Sequence, residues 1–253
     1  MEGPTGKIWL GTACSQNGLK LSDGQLTSLE TLAARLLDWN KKINLISKRD
    51  EENFWSSHLL HCLALLFKVE LPIGSHILDL GTGGGLPGLP LKIARPDITV
   101  TLLDSTQKKI NVVRDLVNTV GLDGVTAVCG RAEDVGKAKE HNHRYDIVLA
   151  RAVASLKDLV RWSEPFLKIG GTTASPVAET SKEHRKHIEG PTLITLKGGD
   201  LEGEIGQIRK LPQVKNITVL DLTLRGSSQL EGGDKKIVLV EIARTPKQKA
   251  EYP

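Results

Sequence analysis

"HILDLGTGGGLPGLPLKIA", residues 76–94, is the stretch on which the fold turns. A short apolar run, His76 to Leu80, gives way to a segment carrying five glycines and two prolines, and apolar residues then resume at helical spacing. A strand that passes through bare backbone into a helix reads as the opening unit of a doubly wound α/β sheet, in which ligands bind outside the C-terminal ends of the strands. Glycine at such a tip lets the chain turn tightly and approach a ligand without a Cβ between them.

Downstream, the pattern alternates. "DITVTLLD" predicts a second strand, "TQKKINVVRDLVNTVG" an amphipathic helix closed by Gly121, and "GVTAVCG" and "YDIVLARA" a third and fourth strand. "SLKDLVRWSEPFLKIGG" is expected to form the next helix throughout its length. Repeated βα units of this size dictate a parallel sheet with helices on both faces, because right-handed crossovers place them there. "NITVLDLTL" and "KKIVLVEIAR", separated by the polar "RGSSQLEGGD", predict a C-terminal antiparallel pair. The β-like "TLITL" that should supply strand five arrives late, after a polar, charged stretch. Residues 173–190 are therefore expected to be a surface insertion forming a mobile loop, with the strand's ligand-binding end left clear.

Upstream, "LSDGQLTSLETLAARLLDWNKKINLIS" reads as a helix with a capping box between Ser22 and Gln25. "DEENFWSSHLLHCLALLF" reads as a second helix with Asp50 as its cap. The division expected is a helical N-terminal segment, 1–72, packed on a core domain, 73–253. With 253 residues, 39% hydrophobic, 25% charged and 4% aromatic, the composition is that of a globular chain. No segment reaches the length of a bilayer span, which with the N-terminal sequence leads to an expectation of a cytoplasmic protein with no membrane partner. The three cysteines are dispersed and form no CxxC pair, so neither a disulfide framework nor a zinc ribbon is encoded. Net charge of +4 permits a nucleic-acid partner without requiring one. His58 with Cys62, and His184 with His187, lack the convergent second pair that zinc needs, and no metal is expected. Nothing in the composition demands more than a monomer.

Which ligand sits at the glycines is argued from the strand tips. The literal GxGxxG at Gly83, Gly85 and Gly88 would suit a dinucleotide. Asp79, just before the glycines, opposes that reading: a carboxylate repels a pyrophosphate but suits the amino group and sulfonium of S-adenosylmethionine. Asp104, at the second tip, is placed to accept from ribose hydroxyls with either cofactor. Ala132 and Glu133, after strand three, can cover and hydrogen-bond an adenine. Arg151, at the fourth tip, stands where a methyl acceptor would enter and could hold a phosphate or stack on a base.

These motifs together become specific. "DLGTGGGLPGLPLKIARPDITVTLLDSTQKKINVVRDLV", then "GRAED", "LARAVASL" and "LKGGDL", resemble the RsmG (GidB) family of bacterial methyltransferases that modify a guanine at N7 in 16S ribosomal RNA. The resemblance runs from about Trp39 to Glu241. It implies a Rossmann-like S-adenosylmethionine-dependent methyltransferase sheet with a small helical N-terminal segment and, as partner, 16S ribosomal RNA or the small ribosomal subunit. Cofactor contacts implied by position fall on Gly81, Leu86, Asp104, Ser105, Thr106, Ala132, Glu133 and Arg151, beside Asp79 and Gly83 from the reading above. Asn44 and Lys197 match further signature positions near the pocket. Family members often carry Arg-His-x-x-Asp-Ser on the second helix, whereas this chain has Ser57-His58-Leu59-Leu60-His61-Cys62, so only His58 carries over. A methyltransferase acting on another RNA or a small molecule is the nearest alternative, and a nicotinamide-dependent oxidoreductase a more distant one.

Overall fold

The computed structural model describes residues 6–151, 154–170, 185–224 and 235–243. Its centre is a seven-stranded sheet ordered β4-β3-β2-β5-β7-β9-β8, comprising β2 (His76–Leu80), β3 (Thr99–Asp104), β4 (Val125–Cys129), β5 (Ile147–Arg151), β7 (Thr192–Gly198), β8 (Val214–Asp221) and β9 (Lys235–Ile242). The first five in that order are parallel, and β9 runs antiparallel to both β7 and β8. Central β2 is buried from Ile77 to Leu80, as expected of a strand covered on both faces. Strand order reverses between β2 and β5, which sets the ligand crevice at the tips of these two strands, where Gly81 and Arg151 stand.

Helices α6 (Gly88–Ala94) and α7 (Gln107–Val120) cover one face. Ile110, Val112, Val113 and Leu116 form the buried stripe of α7, and Gly121 ends it at φ +72°, a conformation that glycine adopts without penalty. The N-terminal helices α1 (Gly6–Gln16) and α2 (Asp23–Asn40) join this face, and their Leu10, Leu29, Leu32 and Leu36 share one core with Ile77, Leu91 and Leu102. The capping box at Ser22 is formed: Gln25 N donates to the Ser22 hydroxyl and Ser22 N donates to Gln25 Oε1. Gln25 also donates to the Ile93 and Ala94 carbonyls, so one cap residue closes two helix ends. Helices α8 (Ala132–Val135), α9 (Leu156–Ser163) and α10 (Glu202–Ile208) belong with the opposite face, where Leu156, Leu159, Val160 and Ile208 pack with Leu78, Val148 and Val240.

Two expectations are corrected, and a third segment is described at one end only. The helix from 156 stops at Ser163, because Pro165 has no N–H to continue the ladder; Phe166 and Lys168 turn back to exchange backbone hydrogen bonds with Tyr145. The second N-terminal helix is broken. Asp50 lies inside a short α3 (Lys48–Glu51) preceded by Ser47, whose hydroxyl donates to the Asp50 carboxylate, and the chain then winds as a π-helix over Phe54–Leu60 before α4 (His61–Leu63) and α5 (Leu65–Lys68). The inserted segment is anchored at its described end: β6 (Lys186–His187) pairs in parallel with β1 (Val69–Glu70), and Arg185 donates to the Gly18 carbonyl at 3.0 Å. Residues 173–184 of the expected loop, and 225–234 of the hairpin connection, lie outside the described residues.

The glycine run is held by close packing as well as by conformation. A Cβ on Gly88 would meet Leu102 Cδ2 at 2.4 Å and Asp79 Oδ2 at 2.8 Å. Gly88→Ala is therefore expected to destabilise the fold by about 1–3 kcal/mol, the usual cost of overpacking a core, read as a lower midpoint in urea denaturation with an unchanged slope.

Candidate active site

Asp79 lies fully buried beneath the glycine loop. Its Oδ2 accepts from the Thr82 hydroxyl at 2.7 Å and from Gly88 N, at the start of α6, at 2.9 Å, while Oδ1 is buried without a partner among the described residues. The carboxylate so placed braces the loop from below and stays off the cavity walls described next. Above it, Gly81 N and Thr82 N both donate to the Leu103 carbonyl, tying the loop to the end of β3. Gly83, at φ +57°, donates its N–H to Asp104 Oδ2 at 3.0 Å, and Thr106 N donates to Asp104 Oδ1 at 2.9 Å. One carboxylate thus closes both the glycine loop and the turn into α7.

Three cavities run in series across the strand tips. The first, of ≈ 140 Å³, is bounded by Gly81, Asp104 and Ser105 on one side and by Ala132, Glu133 and Trp162 on the other. The second, of ≈ 220 Å³, shares Gly81 with the first and is walled by Leu45, Ile46, Thr82, Gly83 and Leu86. His58 and Arg151 close its far end and also line the third cavity, of ≈ 450 Å³, with Asp50, His61, Lys197 and Lys235. Gly81 and the His58–Arg151 pair are the two junctions.

Arg151 organises the second junction. Its guanidinium donates to Cys62 Sγ at 3.1 Å, to the Ser57 carbonyl at 3.2 Å and to His58 Nδ1 at 2.8 Å. Ser57 lies within the π-wound turn and Cys62 just beyond it on α4, and the guanidinium bridges the backbone carbonyl of one and the side chain of the other. Since a guanidinium only donates, His58 Nδ1 accepts and the ring proton of the neutral imidazole sits on Nε2, which lies 3.9 Å from Asp50 Oδ2. Burial, reinforced by the Arg151 charge, pulls the His58 pKa down to about 4; the same two causes, in that order, pull His61 down to about 3. Burial pushes the Cys62 thiol up despite the nearby guanidinium. All three groups are neutral at pH 7. Among the described residues the hydrogen-bond partners of Arg151 are therefore uncharged, and the buried Asp79 carboxylate feels its charge.

The residues anticipated from sequence divide clearly. Gly81, Asp104, Ser105, Ala132 and Glu133 share the first cavity, and Gly83, Leu86 and Arg151 the second. Thr106 acts through its backbone on Asp104. Lys197 reaches the third cavity but is paired with Glu204 at 2.6 and 2.9 Å, and Glu204 also accepts from Leu156 N at the start of α9. Asn44 is exposed and lines none of the three cavities. Its neighbour Asn40 does the local work: Asn40 Oδ1 accepts from Leu45 N and Ile46 N, shaping the turn that walls the second cavity. Sequence reasoning also missed Trp162, Lys235 and Glu204. Of these, only Trp162 had a readable signal, a large aromatic one helical turn from the buried Leu159.

A glycine-lined switch point with acidic residues at successive tips, beside a larger cavity that Arg151 also lines, is the arrangement of an S-adenosylmethionine-dependent methyltransferase. The chain belongs to the GidB family, described as rRNA small subunit methyltransferase G, whose model matches residues 25–202. Among similar proteins, the ribosomal RNA small subunit methyltransferase G of Desulforamulus reducens is 32% identical over 239 residues, covering 94% of this chain and 91% of that one. Its counterpart in Clostridium botulinum strain Loch Maree is 32% identical over 246 residues, covering 96% and 92%. In fold, the chain is similar to M. jannaschii TYW2, solved in complex with AdoMet, at a TM-score of 0.52 with 12% identity over 81% of this chain and 80% of that one.

Burial raises the Asp79 pKa to about 6, against the opposing pull of the Thr82 and Gly88 hydrogen bonds, from an ordinary value of 3.8. Between about pH 4 and 6 the folded chain therefore binds more protons at this site than the unfolded chain, so Asp79 weakens folding as pH rises through that window. Asp79→Asn cannot titrate. Its stability relative to the parent chain is expected to climb by up to about 1.4 kcal/mol per pH unit from pH 4 to 6 and level off above, as read by urea denaturation across the series.

Proposed function

We propose that this chain transfers a methyl group from S-adenosylmethionine to N7 of a guanine in 16S ribosomal RNA, presented as free RNA or within a small ribosomal subunit. The observation that carries the reading is that the three cavities share wall residues, Gly81 between the first and second and the His58–Arg151 pair between the second and third, the third being the largest and rimmed by Lys197 and Lys235. The family name supports an RNA acceptor.

Residues of the chain fit the cofactor. Asp104 and Glu133 supply acceptors for ribose and base, Gly81 and Gly83 leave the backbone bare beside them, and Arg151 offers a cation whose hydrogen-bond partners among the described residues are uncharged. When bound, the cofactor supplies an electrophilic methyl group. Titration of the nearby histidines favours an acceptor that attacks with its own lone pair. A site that must first remove a proton holds a base whose pKa lies near the working pH. His58 and His61, at about 4 and 3, are too weak for that role, Asp79, at about 6, lies off the cavity walls, and guanine N7, unprotonated with an in-plane lone pair, needs none. Orientation then supplies most of the rate. Because N7 faces the deep major groove of A-form RNA, which side chains reach poorly, the target base is one splayed out of its helix.

Labelled methyl transferred to 16S rRNA, or to small subunits from cells lacking the protein, should appear as 7-methylguanosine on nucleoside analysis and should fall steeply with added salt. Absence of label in RNA, with S-adenosylhomocysteine still bound tightly, would move the acceptor to another molecule. Arg151→Lys keeps the charge but cannot reach Cys62, Ser57 and His58 together. It is expected to lower kcat/KM at least about tenfold, near 1.4 kcal/mol of transition-state stabilisation, in the same assay.

A further inference from the structure

Glu204, on α10, joins three elements through one carboxylate. Its Oε1 and Oε2 accept from the Lys197 ammonium on β7 at 2.9 and 2.6 Å, and Oε2 also accepts from Leu156 N, the first amide of α9, at 2.6 Å. The other cap of α9 is local, with Ser155 Oγ accepting from Asp158 N. A carboxylate at the amino end of a helix satisfies an orphan amide and is favoured by the helix dipole. Burial alone would push the Glu204 carboxyl up, but the Lys197 and Leu156 hydrogen bonds outweigh it and hold the group below its ordinary value, so it is ionised at neutral pH.

The sheet register explains why Lys197 needs holding. Leu196 is the partner of Arg151 across β7 and β5, and with Ile194 it joins the core of the N-terminal helices, whereas Leu193 packs with Leu156 of α9 and Ile208 of α10. Alternation along the strand therefore sends Lys197 to the α9 and α10 side of the sheet, opposite Arg151, although both residues line the third cavity. A lysine carries its charge on a flexible four-carbon stem with no direction of its own. Glu204 supplies that direction, and the Lys197 side chain is only 13% exposed. An ammonium has three N–H groups and no acceptor; Glu204 is its one partner among the described residues and takes two of them.

We propose that Glu204 is a positioning residue for methyl transfer: it holds the Lys197 ammonium at the wall of the third cavity, with one N–H left for a phosphate oxygen of the RNA acceptor, and ties that wall to the start of α9. The assignment rests on the reading of the third cavity as the acceptor side. Glu204 acts through Lys197 and not on the RNA itself, so its loss misplaces a cation without removing one.

Kinetics of methyl transfer to small ribosomal subunits from cells lacking the protein test it, first with the parent chain and then with Glu204→Gln, Lys197→Met and the double variant. Glu204→Gln keeps an oxygen for Leu156 N and removes the charge that holds Lys197. Its kcat is expected to fall about five- to tenfold through misplacement of the acceptor. Because no cation is lost, its Kd for 16S rRNA should stay within about twofold of the parent's. S-adenosylhomocysteine, titrated by calorimetry, should bind both equally. Adding Glu204→Gln to Lys197→Met should cost nothing further, as expected of a residue that acts through the lysine. An unchanged or raised kcat in Glu204→Gln overturns the proposal, as does a further loss in the double variant. A lower kcat with weaker S-adenosylhomocysteine binding and a lower melting temperature marks a structural role alone and overturns it too. A parent chain that methylates no RNA overturns the acceptor reading itself and the proposal with it. Should Glu204→Gln fail to fold by thermal melt, Glu204→Asp, whose carboxylate falls a methylene short of Lys197, takes its place, and a kcat equal to the parent's overturns the assignment.

Discussion

The structure depends on a carboxylate placed where no solvent reaches it. Asp79 is the last residue but one of the central strand, and from beneath the glycine loop it takes a hydrogen bond from the Thr82 hydroxyl and another from the first amide of α6. Both bonds need Gly88 to be bare, because a Cβ there would collide with the same carboxylate and with Leu102. Once Asp79 fixes the loop, the amides of Gly81 and Thr82 fall on the Leu103 carbonyl and that of Gly83 on Asp104, so the second strand tip is set by the first. The carboxylate retains its burial at the expense of a pKa raised to about 6, which marks how firmly the loop's shape is imposed on an unfavourable charge.

The opposite wall depends on Arg151, which leaves the sheet at the tip of β5 and reaches into the N-terminal helices. Its partners there are a thiol, a carbonyl and an imidazole held neutral, none of which cancels its charge. The helical segment and the sheet therefore meet at a cation that its hydrogen-bond partners position without carrying an opposing charge. An acidic residue in that shell would close the pair internally; in this chain the corresponding helix position is His61, whose imidazole is neutral.

Much of the sheet was legible in the sequence because buried parallel strands are short apolar runs bounded by glycine and proline, and β2, β3, β4, β5, β7 and the C-terminal antiparallel pair appear where those runs stand. Site residues close to the glycine loop were legible for the same reason: fold and site coincide at the strand tips, which brings Gly81, Asp104, Ala132 and Glu133 into one cavity. Elements whose formation depends on distant contacts were not legible. The π-winding of Phe54–Leu60 has the same local pattern as an α-helix. Helix α1 carries Gly6 and Gly11, which weaken its local signal, while Gly11 allows close packing against Leu26. The β1–β6 pair joins residues more than a hundred positions apart. Asn44 was expected near the pocket, but the residue that shapes this turn is Asn40, four positions earlier and facing inward.

The serial arrangement of the cavities has a chemical consequence. Because neighbouring chambers share a wall residue, Gly81 and then the His58–Arg151 pair, a linear molecule that passes those residues would reach all three in order. A bisubstrate compound joining an adenosine to a purine through a short anionic linker at Arg151 would convert two separate binding events into one, with the second half held at a high effective concentration by the first. The spacing of the two junctions thus sets the linker length such an inhibitor must have.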